Sequence, residues 1–191
     1  MSSSKRRNAG ERRSSRRARD AARPSPTVPV VRFCLLFALY IAVFITLSWT
    51  AVAERYLHAP LSRFLAAAAV PLLLVLGDSR AMGSLLGFDG FWVTIDESCD
   101  GVAATCIYLS AVLALPSPWR ARLWGVLIGI PSIFAINMVR IVTLTVLGAR
   151  RPDIFEWVHI HVWQALVIAL SMAVWIFWAE RFVRPRPALG R

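Results

Sequence analysis

The sequence predicts an all-α membrane protein with four full transmembrane helices, one interfacial or partly inserted helix and a small β-hairpin on the outer face. Hydrophobic residues make up 57% of the 191 residues, and they fall in long runs. A run of about 20 apolar residues matches a hydrocarbon core of ~30 Å, because a helix rises ~1.5 Å per residue. The eight Trp and ten Phe suit the aromatic belts and packed spans of such proteins.

Five apolar runs account for these helices. Four are strong and predict full crossings, and they cover about residues 30–53, 99–116, 122–148 and 157–182. The fifth run, 60–77, is short, rich in Ala and interrupted by Pro71. We expect this run to be interfacial or partly inserted, because the charge pattern leaves both of its ends on one side of the membrane.

The distribution of charge predicts that both termini are cytoplasmic. Residues 1–28 carry nine Lys/Arg against two acidic residues, and the end of the chain, 184–191, is also basic. Basic segments stay on the cytoplasmic face, and the same orientation places Arg120 and Arg122 inside and residue 99 outside. The membrane domain is then 29–183.

The composition of the tail 1–28, with many Arg and Ser residues, predicts a disordered segment attracted to anionic lipid. A nucleic-acid-binding arm is the weaker interpretation of so basic a tail. We therefore expect membrane lipids, and no nucleic acid, among its partners.

The segment between the fifth run and residue 99 predicts the outer-face β-hairpin. Asp89-Gly90 is a favoured two-residue hairpin turn, and Phe91, Val93 and Ile95 alternate with other residues after it. The hairpin, the interfacial helix and the outer ends of the spans would cover a cavity at the outer leaflet.

Three polar residues far apart in the sequence reach one depth in this arrangement. Cys99 opens its span and His159 opens the last one, both at the outer end. Arg140 lies 18 residues into the span that starts near 122, which is roughly 27 Å along a helix. A charged residue inside an apolar run is costly, so it usually faces a partner or a wet cavity.

A thiol, an imidazole and a guanidinium together favour nucleophilic acyl transfer: the thiolate attacks a carbonyl, the imidazole exchanges protons and the cation stabilises developing charge. Asp96, Glu97 and Asp100 would raise the pKa of the Cys99 thiol, whereas Arg140, and His159 as a cation, would lower it. The acids either hold Arg140 in place or bind substrate.

Two other classes of function remain open from the residues alone. In the first, Asp96, Glu97, Asp100, His159 and His161 bind a divalent metal as in an intramembrane metalloprotease. Their spacing lacks a regular pattern such as H-E-x-x-H, so we expect no metal and no cofactor. In the second, the protein is a non-enzymatic scaffold or transport subunit, in which Arg140 neutralises the acids near Cys99.

Helical spacing separates the two histidines of the last span. Glu156, His159 and Trp163 share one face by the i, i+3, i+7 rule, whereas His161 points to nearly the opposite side. We therefore expect Glu156 and Trp163 to contact or orient substrate beside His159. Cys106, seven residues after Cys99 on the same face but ~10 Å deeper, is expected to serve packing.

Three segments together resemble the exosortase/archaeosortase family of membrane-embedded transpeptidases, and exosortase H in particular. They are "ESCDGVAATCIYLSAVLALP", "NMVRIVTLTVLG" and "FEWVHIHVWQALVIALSMAVWIFW", and the similarity covers roughly residues 30–182. The resemblance implies that Cys99 is the nucleophile and that Arg140 and His159 are the other catalytic residues. Asp100 departs from the family pattern, in which Ser or Asn more often separates Cys from Gly.

Other residues are expected to complete the site. Asn137 fits the Asn-x-x-Arg pattern, and we expect it to orient Arg140 by a hydrogen bond. Gly101 would let the substrate backbone approach closely. We also count Glu97 and Asp100 among the residues that bind or orient substrate.

The resemblance further implies a cysteine transpeptidase of the inner membrane of Gram-negative bacteria, with its active site facing the periplasm. Its expected partners are exported proteins that end in a short motif, a transmembrane helix and a basic cluster. For exosortase H the implied motif resembles Ile-Pro-Thr-Leu followed by Trp-Gly. The enzyme would cleave near the motif through a thioacyl intermediate and transfer the new carboxyl end to a cell-envelope acceptor.

Overall fold

The computed structural model describes residues 27–183. The predicted tails, 1–28 and 184–191, lie outside the described residues except for 27 and 28, which open the first helix. Contacts along the chain divide it into two units, 1–35 and 36–191, and every residue of the candidate site belongs to the second.

The described part of the chain is mostly helical, as predicted. Its helices are α1 (Thr27–Ser48), α2 (Ala51–Leu73), α3 (Val102–Ala114), α4 (Trp119–Arg150) and α5 (Pro152–Val183). Four of them, α1, α2, α4 and α5, are long and apolar enough to cross a membrane. The number of helices that meet this criterion equals the predicted number of spans, but α2 meets it by length and composition, whereas α3 has 13 residues, fewer than the ~20 that a straight crossing takes.

Two of the long helices contain π-helical turns. In α2, the turn Glu54–His58 separates Ala51–Ala53 from Ala59–Leu73. In α5, the turn Val158–Trp163 separates Pro152–Trp157 from Gln164–Trp178, and a further turn, Ala179–Val183, ends the helix. A π turn bonds i to i+5, so it changes the direction of side chains relative to the regular helix, and it is frequent at functional sites.

The predicted hairpin is part of a three-stranded antiparallel sheet. Its strands are β1 (Ser79–Met82), β2 (Leu85–Phe88) and β3 (Phe91–Thr94), in that spatial order. Asp89 and Gly90 join β2 to β3 with positive φ of 46° and 87°, as a type I′ turn requires. Strand β1 was not predicted, because "SRAM" lacks the alternation that predicts a strand.

One hydrophobic cluster joins α2, the sheet and the C-terminal part of α4. Its buried members include Leu65, Ala69 and Leu73 of α2, and these pack with Leu86, Phe88 and Ile141. Gly148 of α4 meets the ring of Phe91, since an added Cβ would lie 2.3 Å from it. α2 therefore runs beside the C-terminal part of α4.

A second cluster joins α3 and α5 to the N-terminal part of α4. Its buried members are Tyr108, Val112, Ile133 and Trp178. The Tyr108 hydroxyl donates to the Gly125 carbonyl at 3.0 Å, and Trp178 Nε1 donates to the Ala121 carbonyl at 2.7 Å. The candidate site lies between the two clusters, near residues 137–140 of α4.

Candidate active site

Cys99 lies in a tight turn just before α3, and not at the end of the helix where the sequence analysis placed it. The Asp96 carboxylate accepts from the Ser98 N–H at 2.9 Å and from the Ser98 hydroxyl at 2.6 Å. The Cys99 N–H donates to the Asp96 carbonyl at 2.9 Å. Asx turns of this kind give a short loop a defined backbone.

Asn137 of α4 holds this turn from the other side. Its Nδ2 donates to the Cys99 carbonyl at 2.7 Å, and the residue is only 2% exposed. The predicted role of Asn137 in orienting Arg140 stays a prediction, since the contact seen for its amide nitrogen is with the loop. Gly101 has φ +83°, and an added Cβ would lie 3.2 Å from the Asn137 side chain, so glycine is required there by the fold itself.

The structure brings Cys99, Arg140 and His159 together from the loop, α4 and the π turn of α5. Cys99 Sγ lies 3.3 Å from His159 Nε2. Arg140 Nη2 lies 2.9 Å from the same Nε2 and 3.8 Å from Sγ. Three residues that helix length alone placed at one depth therefore meet within hydrogen-bonding distance.

The guanidinium determines the tautomer of His159. Arginine donates hydrogen bonds and cannot accept them, so Nε2 at 2.9 Å from Nη2 must be the acceptor. The imidazole is then neutral with its proton on Nδ1, and the lone pair of Nε2 lies near the thiol. This is the arrangement of a general base beside a nucleophile.

Arg140 is buried without an anionic partner. It is 6% exposed, its Nε has no hydrogen-bond partner, and no carboxylate within residues 27–183 forms an ion pair with it. The expectation that nearby acids hold Arg140 is therefore not met, since Asp96 bonds Ser98 instead. An uncompensated buried cation is costly, which makes this site ready to accept negative charge.

Asp100 forms a buried pair with His58, a residue that the sequence analysis missed. Asp100 is 0% exposed and His58 4%, and His58 Nδ1 contacts Asp100 Oδ2. The other ring nitrogen, Nε2, lies 3.1 Å from the Ser48 carbonyl, and Asp100 Oδ1 accepts from the Val102 N–H at 2.8 Å. The one sequence signal for His58 is a polar residue just before the weak apolar run.

Burial is the main influence on the acidity of this loop. It raises the pKa of the Cys99 thiol, and the guanidinium of Arg140 opposes that rise. Asp96 and Asp100 raise the pKa of Cys99 as expected, but less than burial does. Burial also raises the pKa of Asp100, against hydrogen bonds from His58 and the Val102 N–H. Cys99 therefore rests as a thiol.

The remaining predicted residues lie farther from the reacting atoms. Glu97 and Glu156 are exposed and Trp163 is half-buried. Trp163 ends a π turn, so the α-helical spacing that aligned it with His159 does not hold there. His161 is exposed, stacks on Trp157 at 5.5 Å and bonds the Trp157 carbonyl at 3.1 Å; His159, and not His161, reaches Cys99.

The alternative metal site has no counterpart in this geometry. Among the residues that the structure describes, no three His, Cys, Asp or Glu side chains form a group that could hold a metal ion. Of the five residues considered as ligands, Asp100 bonds His58 and His161 bonds the backbone of Trp157.

The protein is a multi-pass helical protein. A thiol, a neutral imidazole and a guanidinium without an anionic partner meet at a helix–loop junction, and these are the parts of a cysteine acyl-transfer site. The family model of the transmembrane exosortases (Exosortase_EpsH) matches residues 30–178, so the chain belongs to this family, which is one of cysteine-type proteases and transpeptidases. No curated protein and no solved structure matches the chain.

Proposed function

We propose that the protein is a membrane-embedded cysteine transpeptidase that cleaves the C-terminal tripartite sorting signal of exported proteins and transfers them to a cell-envelope acceptor. The observation that carries this proposal is the contact of Cys99 Sγ, His159 Nε2 and Arg140 Nη2 within 2.9–3.8 Å. Cys99, Arg140 and His159 are the proposed catalytic residues.

The first step begins with proton transfer from Cys99 Sγ to His159 Nε2. The thiolate attacks the carbonyl carbon of the scissile peptide, and the carbonyl oxygen becomes an oxyanion. Because the protonated Nε2 can no longer accept from Arg140, Nη2 is free to turn toward the new negative charge. The buried guanidinium then stabilises the tetrahedral intermediate.

Collapse of this intermediate breaks the C–N bond. The leaving amine takes the proton from His159 Nε2 and departs with the C-terminal helix and basic cluster, and the new carboxyl end stays on Cys99 as a thioester. An acceptor nucleophile then attacks the thioester, His159 takes its proton, and Cys99 leaves and is reprotonated. If water were the acceptor, the protein would be a protease.

The depth of the site supports a substrate that is anchored by its own helix. Arg140 follows Trp119, the first residue of α4, by 21 residues, or roughly 32 Å of helical rise, which is about the thickness of the hydrocarbon core. With cytoplasmic termini, the site faces the periplasm at the membrane boundary. Glu97, Glu156 and Trp163 remain our candidates for substrate contacts around it.

The decisive test is the processing of a tagged substrate that ends in an Ile-Pro-Thr-Leu-type motif, a helix and a basic cluster. Cys99→Ala and Cys99→Ser should both abolish processing while the protein accumulates in the membrane, because serine is a poor nucleophile here without a stronger base. The matched control, Cys106→Ala, should process the substrate normally. A hydroxylamine-sensitive adduct of Cys99 with a substrate peptide would identify the thioester by mass.

The two alternatives give different results in the same assay. A scaffold or transport subunit should keep its role with Cys99→Ser. An intramembrane metalloprotease should lose activity with a chelator and keep it with Cys99→Ala. Either result would exclude the transpeptidase.

A further inference from the structure

We propose that His58 is a positioning residue of this site: its contact with the Asp100 carboxylate fixes the Cys99 turn and neutralises a negative charge beside the nucleophile. This inference rests on the proposed function for its effect on turnover. Its effect on the Cys99 thiol can be measured without any substrate.

The hydrogen bonds of His58 leave the buried His58–Asp100 pair without net charge. Nε2 faces the Ser48 carbonyl at 3.1 Å and Nδ1 faces the Asp100 carboxylate. Nε2 therefore donates to the Ser48 carbonyl, and one proton is shared between Nδ1 and the Asp100 carboxyl group. Whichever of the two groups holds that proton, the buried pair has no net charge.

The position of His58 connects three parts of the chain. It is the last residue of the π turn Glu54–His58 in α2, it contacts the end of α1 through Ser48, and it holds the residue that follows Cys99. The second carboxylate oxygen of Asp100 bonds the first turn of α3 through the Val102 N–H. Loss of His58 would thus release one side of the catalytic loop.

The charge of the pair matters because Asp100 is adjacent to Cys99. A carboxylate without a cation at this position opposes formation of the thiolate. The titratable and charged groups that act on Cys99 are Asp96, Asp100 and Arg140, together with His159, which contacts its sulfur. Those that act on His58 are Asp100 and Glu54. Within residues 27–183, only His58 forms an ion pair with Asp100.

Alkylation of Cys99 tests this role in the full-length protein. A background with Cys34→Ser and Cys106→Ala leaves Cys99 as the one cysteine, and the rate of reaction with iodoacetamide is followed against pH for His58→Gln, Asp100→Asn and the double variant. His58→Gln keeps a donor but removes the charge. We expect it to slow alkylation near pH 8 roughly tenfold and to move the pH profile upward, because a like charge raises the thiol pKa.

The other variants separate charge from folding. Asp100→Asn should leave the alkylation rate within about threefold of the parent, because the pair of residues 58 and 100 has no net charge before or after the substitution. The double variant should recover the same rate. His161→Gln, an exposed histidine of α5, is the matched control and should leave the profile unchanged. Melting temperatures in detergent report any loss of fold.

The following results would overturn the proposal. If His58→Gln keeps the parental profile, or the double variant stays as slow as His58→Gln, the pair does not act through charge. If Asp100→Asn alone makes the alkylation of Cys99 several-fold faster, His58 does not compensate the Asp100 carboxylate in the parent protein. This test remains valid even if the His58→Gln variant fails to fold. If the profiles agree but no substrate is processed, the proposed function fails and the role of His58 stands.

Discussion

The lone pair of His159 Nε2 lies between two donors, the thiol of Cys99 at 3.3 Å and the guanidinium of Arg140 at 2.9 Å. Only one of the two can transfer a proton, because arginine stays protonated in proteins. In the proposed mechanism, movement of the thiol proton to Nε2 both activates the nucleophile and releases Arg140. Arg140, which holds the base in its neutral form, would then become the donor for the oxyanion.

Replacement of Arg140 by lysine should nearly abolish processing. Lysine keeps a positive charge but lacks the planar set of donors that reaches both His159 and Cys99. We expect a loss of roughly 10²-fold or more in the rate of thioester formation, the size typical of a lost oxyanion donor. Arg80→Lys, in an exposed pair with Asp78, is the control and should retain activity; equal rates for the two variants would argue against the role of Arg140.

The reactivity of Cys99 should rise with pH. Burial raises the pKa of this thiol, so the thiolate fraction is small at neutral pH and increases as the pH approaches the raised pKa. The midpoint of iodoacetamide labelling in the Cys34→Ser, Cys106→Ala background should lie above the ~8.5 of a free cysteine. Arg140→Ala should move this midpoint further upward, because the guanidinium lowers the pKa of Cys99. A midpoint below that of free cysteine would show that the thiolate is already stabilised.

At the scale of elements, the site depends on irregular segments held by regular ones. Cys99 lies in a turn that Asn137 of α4 holds through the Cys99 carbonyl, and the two histidines of the site lie on π turns of α2 and α5. The regular helices determine depth, whereas the turns determine the direction of each side chain. A change in a turn should therefore affect activity more than it affects the fold.

Gly101→Ala should test this difference against Gly83→Ala. Both glycines have positive φ, +83° and +65°, but an added Cβ meets Asn137 at 3.2 Å in the first case and nothing within 4 Å in the second. Backbone strain costs each variant about 1–2 kcal/mol. Only Gly101→Ala should also displace the Asn137 contact and lose processing. Melting temperatures report the loss of stability in each variant, and substrate cleavage reports the loss of processing. Equal activity in both variants would contradict the proposed role of the turn.

At the scale of the whole molecule, α4 connects two parts of the membrane domain. Its N-terminal part packs with α3 and α5, its C-terminal part packs with α2 and the sheet, and Arg140 lies where the two parts meet. The roughly 32 Å between Trp119 and Arg140 fills the hydrocarbon core. We therefore expect the sheet and the C-terminal end of α4 to lie beyond the membrane boundary.

Labelling of single cysteines should test this orientation. In a background with Cys34→Ser, Cys99→Ala and Cys106→Ala, Met82→Cys in β1 should react with a membrane-impermeant maleimide added to spheroplasts. Arg120→Cys at the start of α4 should react only after permeabilisation. Both positions are exposed, so access is decided by the side of the membrane. The reverse pattern would place the site in the cytoplasm.

The sequence by itself determined those features that depend on local chain geometry. The number of spans follows from the lengths of the apolar runs, the turn at Asp89-Gly90 from its need for positive φ, and the common depth of Cys99, Arg140 and His159 from rise per residue. The bounds were less well predicted, because helix α3 begins at Val102 and leaves Cys99 in a loop.

The tertiary structure alone decided which polar groups become partners. His58 meets Asp100 across 42 residues, and Asn137 meets the Cys99 carbonyl across 38, so neither pair leaves a periodic signal in the sequence. The same is true of β1, which is a strand only because β2 pairs with it. A buried donor or acceptor takes whichever partner packing brings within reach, and packing between distant segments is a property of the folded chain.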